Sequence, residues 1–239
     1  MSKFLSYIKC WGYDLLNVVL PNVCTVCHTP LVDGEDVMCL KCSIDLPRTD
    51  LYKFQPNPIH ERLVTLTTPI ERASSLFWYY KNNEYASLIH DAKYHGRPSV
   101  AVKLARMHAI ELKKIGFFND IDIILPVPMH FIKQIMRGYN QAEEVAKGIS
   151  DVTGLEVGNN LKATRRHTSQ TRKGAAQRMI NTKGIYKVRE AQDLDNKHIL
   201  LVDDVITTGA TLVACIDAVH EVAPTARFSV FSLALTHLI

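Results

Sequence analysis

Ile199-Leu200-Leu201-Val202-Asp203-Asp204-Val205-Ile206-Thr207-Thr208-Gly209-Ala210-Thr211 is the least ordinary stretch of this 239-residue chain. Four aliphatic residues in a row, without alternation, read as a buried parallel strand. Two carboxylates stand at its end, and Thr207-Thr208-Gly209 then turns the chain into a helical pattern that starts at Ala210. Backbone N–H groups at such a helix start point outward and favour an anion. Gly209 lets the backbone approach closely, and the hydroxyls of Thr207, Thr208 and Thr211 add donors. Asp203 and Asp204 would repel a phosphate but suit hydroxyl groups, and a ribose diol offers a pair of them on the same ligand. Capping of a turn and a helix explains a single Asp but fits the whole run poorly. Carboxylates followed by a phosphate nest describe a ribose 5-phosphate site.

Outward from this stretch, strands and helices alternate. Ser75 to Tyr80, Asp122 to Val127, Lys183 to Val188, His198 to Val202 and Arg227 to Leu235 read as strands. Glu84 to Ala92, Ser99 to Lys114, Asn140 to Asp151 and Ala210 to Val222 read as helices. Short apolar strands each followed by a helix imply an α/β domain with a parallel sheet, expected over residues 60–239. Ligands of such sheets bind at the carboxyl ends of the strands. Two loops fall there: Pro126 to His130 and Asp203 to Thr211. The aromatic run Phe77-Trp78-Tyr79-Tyr80 could form part of a hood over a ligand base, although core packing explains such runs more often.

The composition is that of a soluble globular protein, 47% apolar and 22% charged, and the net charge of +4 does not by itself argue for nucleic acid. Its distribution says more. Between Leu161 and Arg189 there are nine Lys or Arg and no Asp or Glu. That field suits a polyanion, and a solvated basic face or loop is the alternative. Residues 1–22 carry Phe4, Ile8, Trp11, Leu15 and Val18/Val19 at helical spacing, with Lys3, Lys9, Asp14 and Asn17 on the other flank. This is an amphipathic helix, too charged to span a membrane and without a secretory cleavage site. Six cysteines without an export signal point to a reducing, cytoplasmic compartment.

Four of those cysteines fall as Cys24-x2-Cys27 and Cys39-x2-Cys42, eleven residues apart, with a turn at Val32 to Asp36 between them. Two such knuckles brought together complete a tetrahedral thiolate site, so residues 23–48 are expected to form a zinc ribbon. Four thiolates leave no open position, which makes the zinc structural. His28, Cys10 and Cys215 are not needed as ligands. Pro47, Pro56 and Pro58 mark a linker to the larger domain.

Asp203-Asp204-Val205-Ile206-Thr207-Thr208-Gly209-Ala210-Thr211 resembles the 5-phosphoribosyl 1-pyrophosphate motif of type I phosphoribosyltransferases. The chain as a whole resembles the ComF family, which includes competence protein ComF and GntX-like proteins. The resemblance is carried by Leu20-Pro21, the four-Cys module with Leu46-Pro47, Lys93-Tyr94-His95-Gly96, and Pro126-Val127-Pro128-Met129-His130. It continues through Arg137-Gly138-Tyr139-Asn140-Gln141, Thr168-Ser169-Gln170, Arg178 and Asn181. It implies a type I phosphoribosyltransferase-like sheet flanked by helices, preceded by the N-terminal helix and the zinc ribbon. It also implies that Asp203 and Asp204 hold the ribose hydroxyls, while Val205, Thr207, Thr208, Gly209 and Thr211 form the 5-phosphate loop. The loop at Pro128 would border pyrophosphate, which Arg137 and the segment with Arg165, Arg166, Arg172 and Lys173 would neutralise, with magnesium bridging ligand oxygens. Asp203, Asp204 and Arg137 would be the catalytic set.

Two functions follow from the resemblance. One is phosphoribosyl transfer to an acceptor that the sequence does not name. The other is non-catalytic ligand binding in DNA uptake, with single-stranded DNA or a helicase as partner.

Overall fold

A computed structural model describes residues 22–66, 68–94, 97–164, 184–189 and 194–237. The amphipathic helix expected over 1–22 lies outside these residues but for Asn22, as does the basic stretch 165–183. The chain divides into two compact units, Met1–Leu46 and Pro47–Ile239.

In the smaller unit, the first Cys-x2-Cys pair sits on a tight turn. It is closed by hydrogen bonds from Cys24 N to Thr29 O (2.8 Å) and from His28 N to Cys24 O (2.9 Å). Cys39 caps a short helix, α1 (Leu40–Ile44), that carries Cys42 on its inner side. The turn between the pairs is held by the Glu35 carboxylate, which accepts from Val32 N (3.0 Å) and Leu40 N (2.6 Å). His28 is exposed.

The larger unit is built on a five-stranded parallel sheet in the order β1-β7-β6-β2-β3. These strands are β1 (Ile70–Tyr79), β2 (Ile123–Pro126), β3 (Glu156–Val157), β6 (His198–Ile206) and β7 (Arg227–Thr236). A separate antiparallel pair joins β4 (Leu161–Ala163) to β5 (Tyr186–Val188). The helices are α2 (Pro58–Arg62), α3 (Ala86–Tyr94), α4 (Pro98–Lys114), α5 (Phe131–Arg137), α6 (Gln141–Thr153) and α7 (Ala210–His220).

Parallel strands need both faces covered, and the near-continuous apolar runs of β6 and β7 meet that demand. Ile199, Leu201, Phe228 and Val230 share a core with Leu212, Cys215, Ile216 and Val219 of α7. α4 and α6 pack tightly together: a Cβ added at Gly148 would lie 2.3 Å from the Val102 carbonyl oxygen. Only a glycine admits that crossing. Cys215 is fully buried within α7, as its helical position implied.

Two expectations change. The stretch after Leu46 is not a free linker leading to a domain at residue 60. Pro47 to Thr49 pairs along the outer edge of β1, with Thr49 N donating to Leu76 O (3.1 Å) and Trp78 N to Pro47 O (2.8 Å). Covering an edge strand in this way satisfies backbone groups that would otherwise stand open. Arg48 then reaches Glu111 of α4 at 2.7 Å. The aromatic run 77–80 is not one exposed stacking surface either: Phe77, Trp78 and Tyr79 lie within β1 and Phe77 is fully buried, whereas Tyr80 beyond the strand is exposed.

Candidate functional site

The carboxyl ends of β2 and β6 lie side by side, because Ile124 pairs with Leu200 and Pro126 with Val202. An open cleft of about 230 Å³ stands over them. From the expected site residues it gathers Asp203, Asp204 and Val205 of β6, Thr211 of α7, Pro128 of the loop after β2, and Arg137 at the end of α5. These positions span more than eighty residues of sequence. The strand register and the helices and loop that follow the two strands bring them together.

The two acids are not equivalent. Burial, and next to it the charge of Asp204, pushes the Asp203 carboxyl well above the ordinary carboxylate range. Asp203 Oδ1 accepts from Asp204 N at 2.9 Å, and Asp204 Oδ1 accepts from Val205 N at 2.8 Å. Asp204 also meets a cation: Lys93 Nζ of α3 lies 2.8 Å from its Oδ2, with both side chains mostly shielded from solvent. The pair therefore holds one carboxylate compensated by an ammonium and one that disfavours charge.

The turn after Ile206 departs from the strand as the sequence implied. Gly209 takes φ +78° and caps α7. Thr207, Thr208 and Gly209 are not among the residues walling the cleft; they form the turn between Val205 and Thr211, which are. Behind the turn, a Cβ on Gly209 would come within 3.1 Å of Leu63 and 3.2 Å of the Arg62 carbonyl oxygen. The backbone angle thus calls for a glycine, and tight packing on its protein side leaves little room for a side chain.

On the facing side, each residue of Arg137-Gly138-Tyr139-Asn140-Gln141 has a separate task. Gly138, at φ +85°, ends α5. The Tyr139 hydroxyl donates to the Ala92 carbonyl of α3 (2.8 Å). Buried Asn140 caps α6 by accepting from Ala142 N (3.2 Å), and its amide donates to Val127 O (3.1 Å), which pins the loop after β2. Gln141 Oε1 accepts from Arg137 Nη1 at 3.0 Å, holding the guanidinium at the cleft. Lys133, one turn earlier on α5, and His130 add to the basic wall. Tyr186 of β5 and Ile185 just before it close another side. Burial raises the Tyr186 phenol above its ordinary range, so it stays a neutral group. Arg165 lies outside the described residues.

Lys93, Lys133, Asn140 and Tyr186 were not singled out from the sequence as site residues. Lys93, Asn140 and Gln141 fall within the segments that carried the family resemblance, which was the only signal available for them. Tyr186 had none beyond its place in the basic stretch Leu161 to Arg189, and Lys133 had none at all.

In the smaller unit, one ligand atom each from Cys24, Cys27, Cys39 and Cys42 falls within 4.8 Å of all the others. Cys27 Sγ and Cys39 Sγ are 3.6 Å apart. Tetrahedral zinc with ~2.3 Å bonds to sulfur requires about 3.8 Å between sulfurs, so the donor set fits such an ion. The Thr29 hydroxyl and backbone N–H draw the Cys27 thiol down to about 6, while burial pushes Cys42 up. A second group of possible ligands, Glu71, Asp120 and His198, is already engaged. The His198 ring bonds Asp120 (3.0 Å) and Ser229 (2.9 Å), and Arg227 pairs with both acids.

A model of the family described as phosphoribosyl transferase domain matches residues 109–235, more than half of the chain. DNA utilization protein YhgH of Escherichia coli (strain K12) is 25% identical over 216 residues, covering 82% of this chain and 89% of that protein. Competence protein F of Haemophilus influenzae is 34% identical over 93 residues, covering 38% and 41% respectively. Among solved structures, a purine phosphoribosyltransferase from Pyrococcus horikoshii Ot3 is similar over 56% of this chain and 81% of that one, at 15% identity and a TM-score of 0.34. That likeness is too distant to add to the strand order itself. The strand order, the cleft at its carboxyl end and the matched segment agree: the chain belongs to the phosphoribosyl transferase domain family, on its ComF, competence-protein branch.

Proposed function

We propose that the cleft binds 5-phosphoribosyl 1-pyrophosphate with magnesium and transfers its phosphoribosyl group to an acceptor. The observation that carries this reading is the convergence of Asp203, Asp204, Thr211, Arg137 and Lys133 on one cleft at the strand ends. Only a ligand that is a diol, a phosphate and a pyrophosphate at once engages all of them.

In the transfer, the bond from the anomeric carbon to the pyrophosphate oxygen breaks and the acceptor's nucleophilic atom bonds to that carbon. Pyrophosphate leaves with the electron pair, and the acceptor's proton passes to water. Arg137 and Lys133 stabilise the charge that grows on the leaving group. Asp203 and Asp204 orient the ribose by accepting from its hydroxyls. Asp203 and Asp204 are the acids that wall the cleft among the described residues, and Lys93 already engages Asp204. That donor set fits a magnesium held by ligand oxygens and water rather than a protein cage. Magnesium so held would supply further neutralisation of the pyrophosphate.

The four-Cys unit binds one structural zinc, and a reducing cytoplasm keeps its thiols available. A Cys24→Ser/Cys39→Ser protein that retained stoichiometric zinc would refute that assignment.

The names DNA utilization protein and competence protein support a second reading, in which the same ligand site serves DNA uptake without catalysis, through single-stranded DNA or a helicase. Pyrophosphate release from phosphoribosyl pyrophosphate with magnesium, screened across bases, amines and oligonucleotides, separates the two. Release that depends on an added acceptor supports transfer. Saturable binding without release under any acceptor supports the non-catalytic role.

A further inference from the structure

We infer that Arg62 is a positioning residue that sets the polarity of the phosphate loop from behind. Its guanidinium donates from Nη1 to the carbonyl oxygens of Ile206 (3.2 Å) and Thr207 (2.5 Å), and from Nη2 to the carbonyl of Thr236 at the end of β7. One side chain thus ties the exit of β6 to the exit of β7. The inference rests on the reading of Asp203 to Thr211 as a ribose 5-phosphate site.

Peptide geometry gives these bonds their consequence. In a planar trans peptide, the carbonyl of one residue and the N–H of the next point in opposite directions. Carbonyls of Ile206 and Thr207 turned toward Arg62 therefore turn the N–H groups of Thr207 and Thr208 away from it. A flipped peptide would present an oxygen to an incoming phosphate and repel it. Arg62 selects the donor-forward orientation before any ligand arrives, which is the preorganisation an anion nest requires.

The anchor for Arg62 is firm. Buried Asn57 caps α2 by accepting from Ile59 N (3.0 Å), and its amide donates to Leu51 O (3.1 Å) and Ala73 O (2.8 Å) of the neighbouring strand. Leu63 is buried, and together with the Arg62 backbone it fills the space behind Gly209. A lysine would supply a point charge but not a fork that grips two adjacent carbonyls and a third across the strand gap.

Calorimetric titrations of wild type, Arg62→Lys and Arg62→Met with ribose 5-phosphate and with pyrophosphate test this. Arg62→Met should lose at least tenfold in affinity for ribose 5-phosphate while pyrophosphate binding changes less than twofold, and Arg62→Lys should fall between wild type and Met. Arg62→Met binding ribose 5-phosphate as wild type does, or losing both ligands equally, would overturn the inference. Should Arg62→Met fail to fold, amide NMR of the wild-type protein decides the matter. The Thr207 and Thr208 N–H resonances must shift on addition of ribose 5-phosphate, and unmoved resonances contradict the assignment. A wild type that binds no ribose 5-phosphate removes the site reading itself. A wild type that binds it, beside an unaffected Arg62→Met, removes only the role of Arg62.

Discussion

Asp203 and Asp204 are neighbours in sequence with opposite surroundings. Asp204 faces the Lys93 ammonium, whereas Asp203 is raised by burial and by Asp204. An acid whose folded-state pKa is raised binds its proton more tightly in the folded chain. Stability therefore falls as pH rises from the ordinary carboxylate range through the raised value. Asp203→Asn removes that loss. We expect the variant to be more stable than wild type at pH 7, because the folded chain no longer has to hold a buried carboxyl against its ionisation. The gap should close as pH falls toward about 4, the unperturbed Asp range. Thermal unfolding across pH reads this directly, and a gap that widened in acid would contradict it. Lys93→Met should act on the other acid, weakening phosphoribosyl pyrophosphate by roughly 1–3 kcal/mol through loss of the charge-assisted contact that holds Asp204. Pyrophosphate titrated alone should be nearly unaffected by the same change.

At the scale of elements, the loop after β2 is held by the first residue outside α6. Asn140→Ala deletes a helix cap and the bond to Val127 O together. The expected cost is about 1–2 kcal/mol in denaturant unfolding, with a parallel loss of pyrophosphate affinity because Pro128 and its neighbours are no longer pinned. An unfolding midpoint equal to wild type would show that the cap is dispensable. The same elements show what the sequence could convey. Ile199 to Val202 and Arg227 to Leu235 were legible because buried parallel strands are largely apolar, with only Ser229 and Ser232 breaking the second run after Arg227. α4 and α6 were legible because their apolar residues recur at helical spacing. α5 was not anticipated: Phe131, Ile135 and Met136 are more than 60% exposed, so no core stripe marks it. The aromatic residues of β1 invite a binding role by composition; Ser75 to Tyr80 was legible as a strand, but only the structure shows that it begins at Ile70 and pairs with β7. Lys93 and Arg62 escaped for a simpler reason. Their partners lie more than a hundred residues away, and no local pattern encodes a contact at that separation.

For the whole molecule, the division at Leu46 sets apart two kinds of stability. The larger unit buries a continuous core between sheet and helices. Among its described residues the smaller one has few buried apolar side chains around its cysteines, and metal binding is expected to supply much of the folding free energy of that part. A strong chelator should therefore remove one zinc per chain and abolish the ordered amide signals of residues 22–46, leaving the main unfolding transition of the larger unit in place. Loss of both together would contradict that division. Among the described residues no helix is long and apolar enough to cross a membrane.

The central claim is that the cleft reads a ribose and a phosphate together, and one calorimetric comparison tests it most directly. Wild-type protein, with magnesium, should bind phosphoribosyl pyrophosphate more tightly than pyrophosphate or inorganic phosphate. Asp203→Asn/Asp204→Asn should erase roughly 1–3 kcal/mol of that preference, while phosphate affinity persists through the untouched backbone donors. Equal affinity of the wild type for phosphoribosyl pyrophosphate and pyrophosphate, or a double variant that binds unchanged, would contradict it.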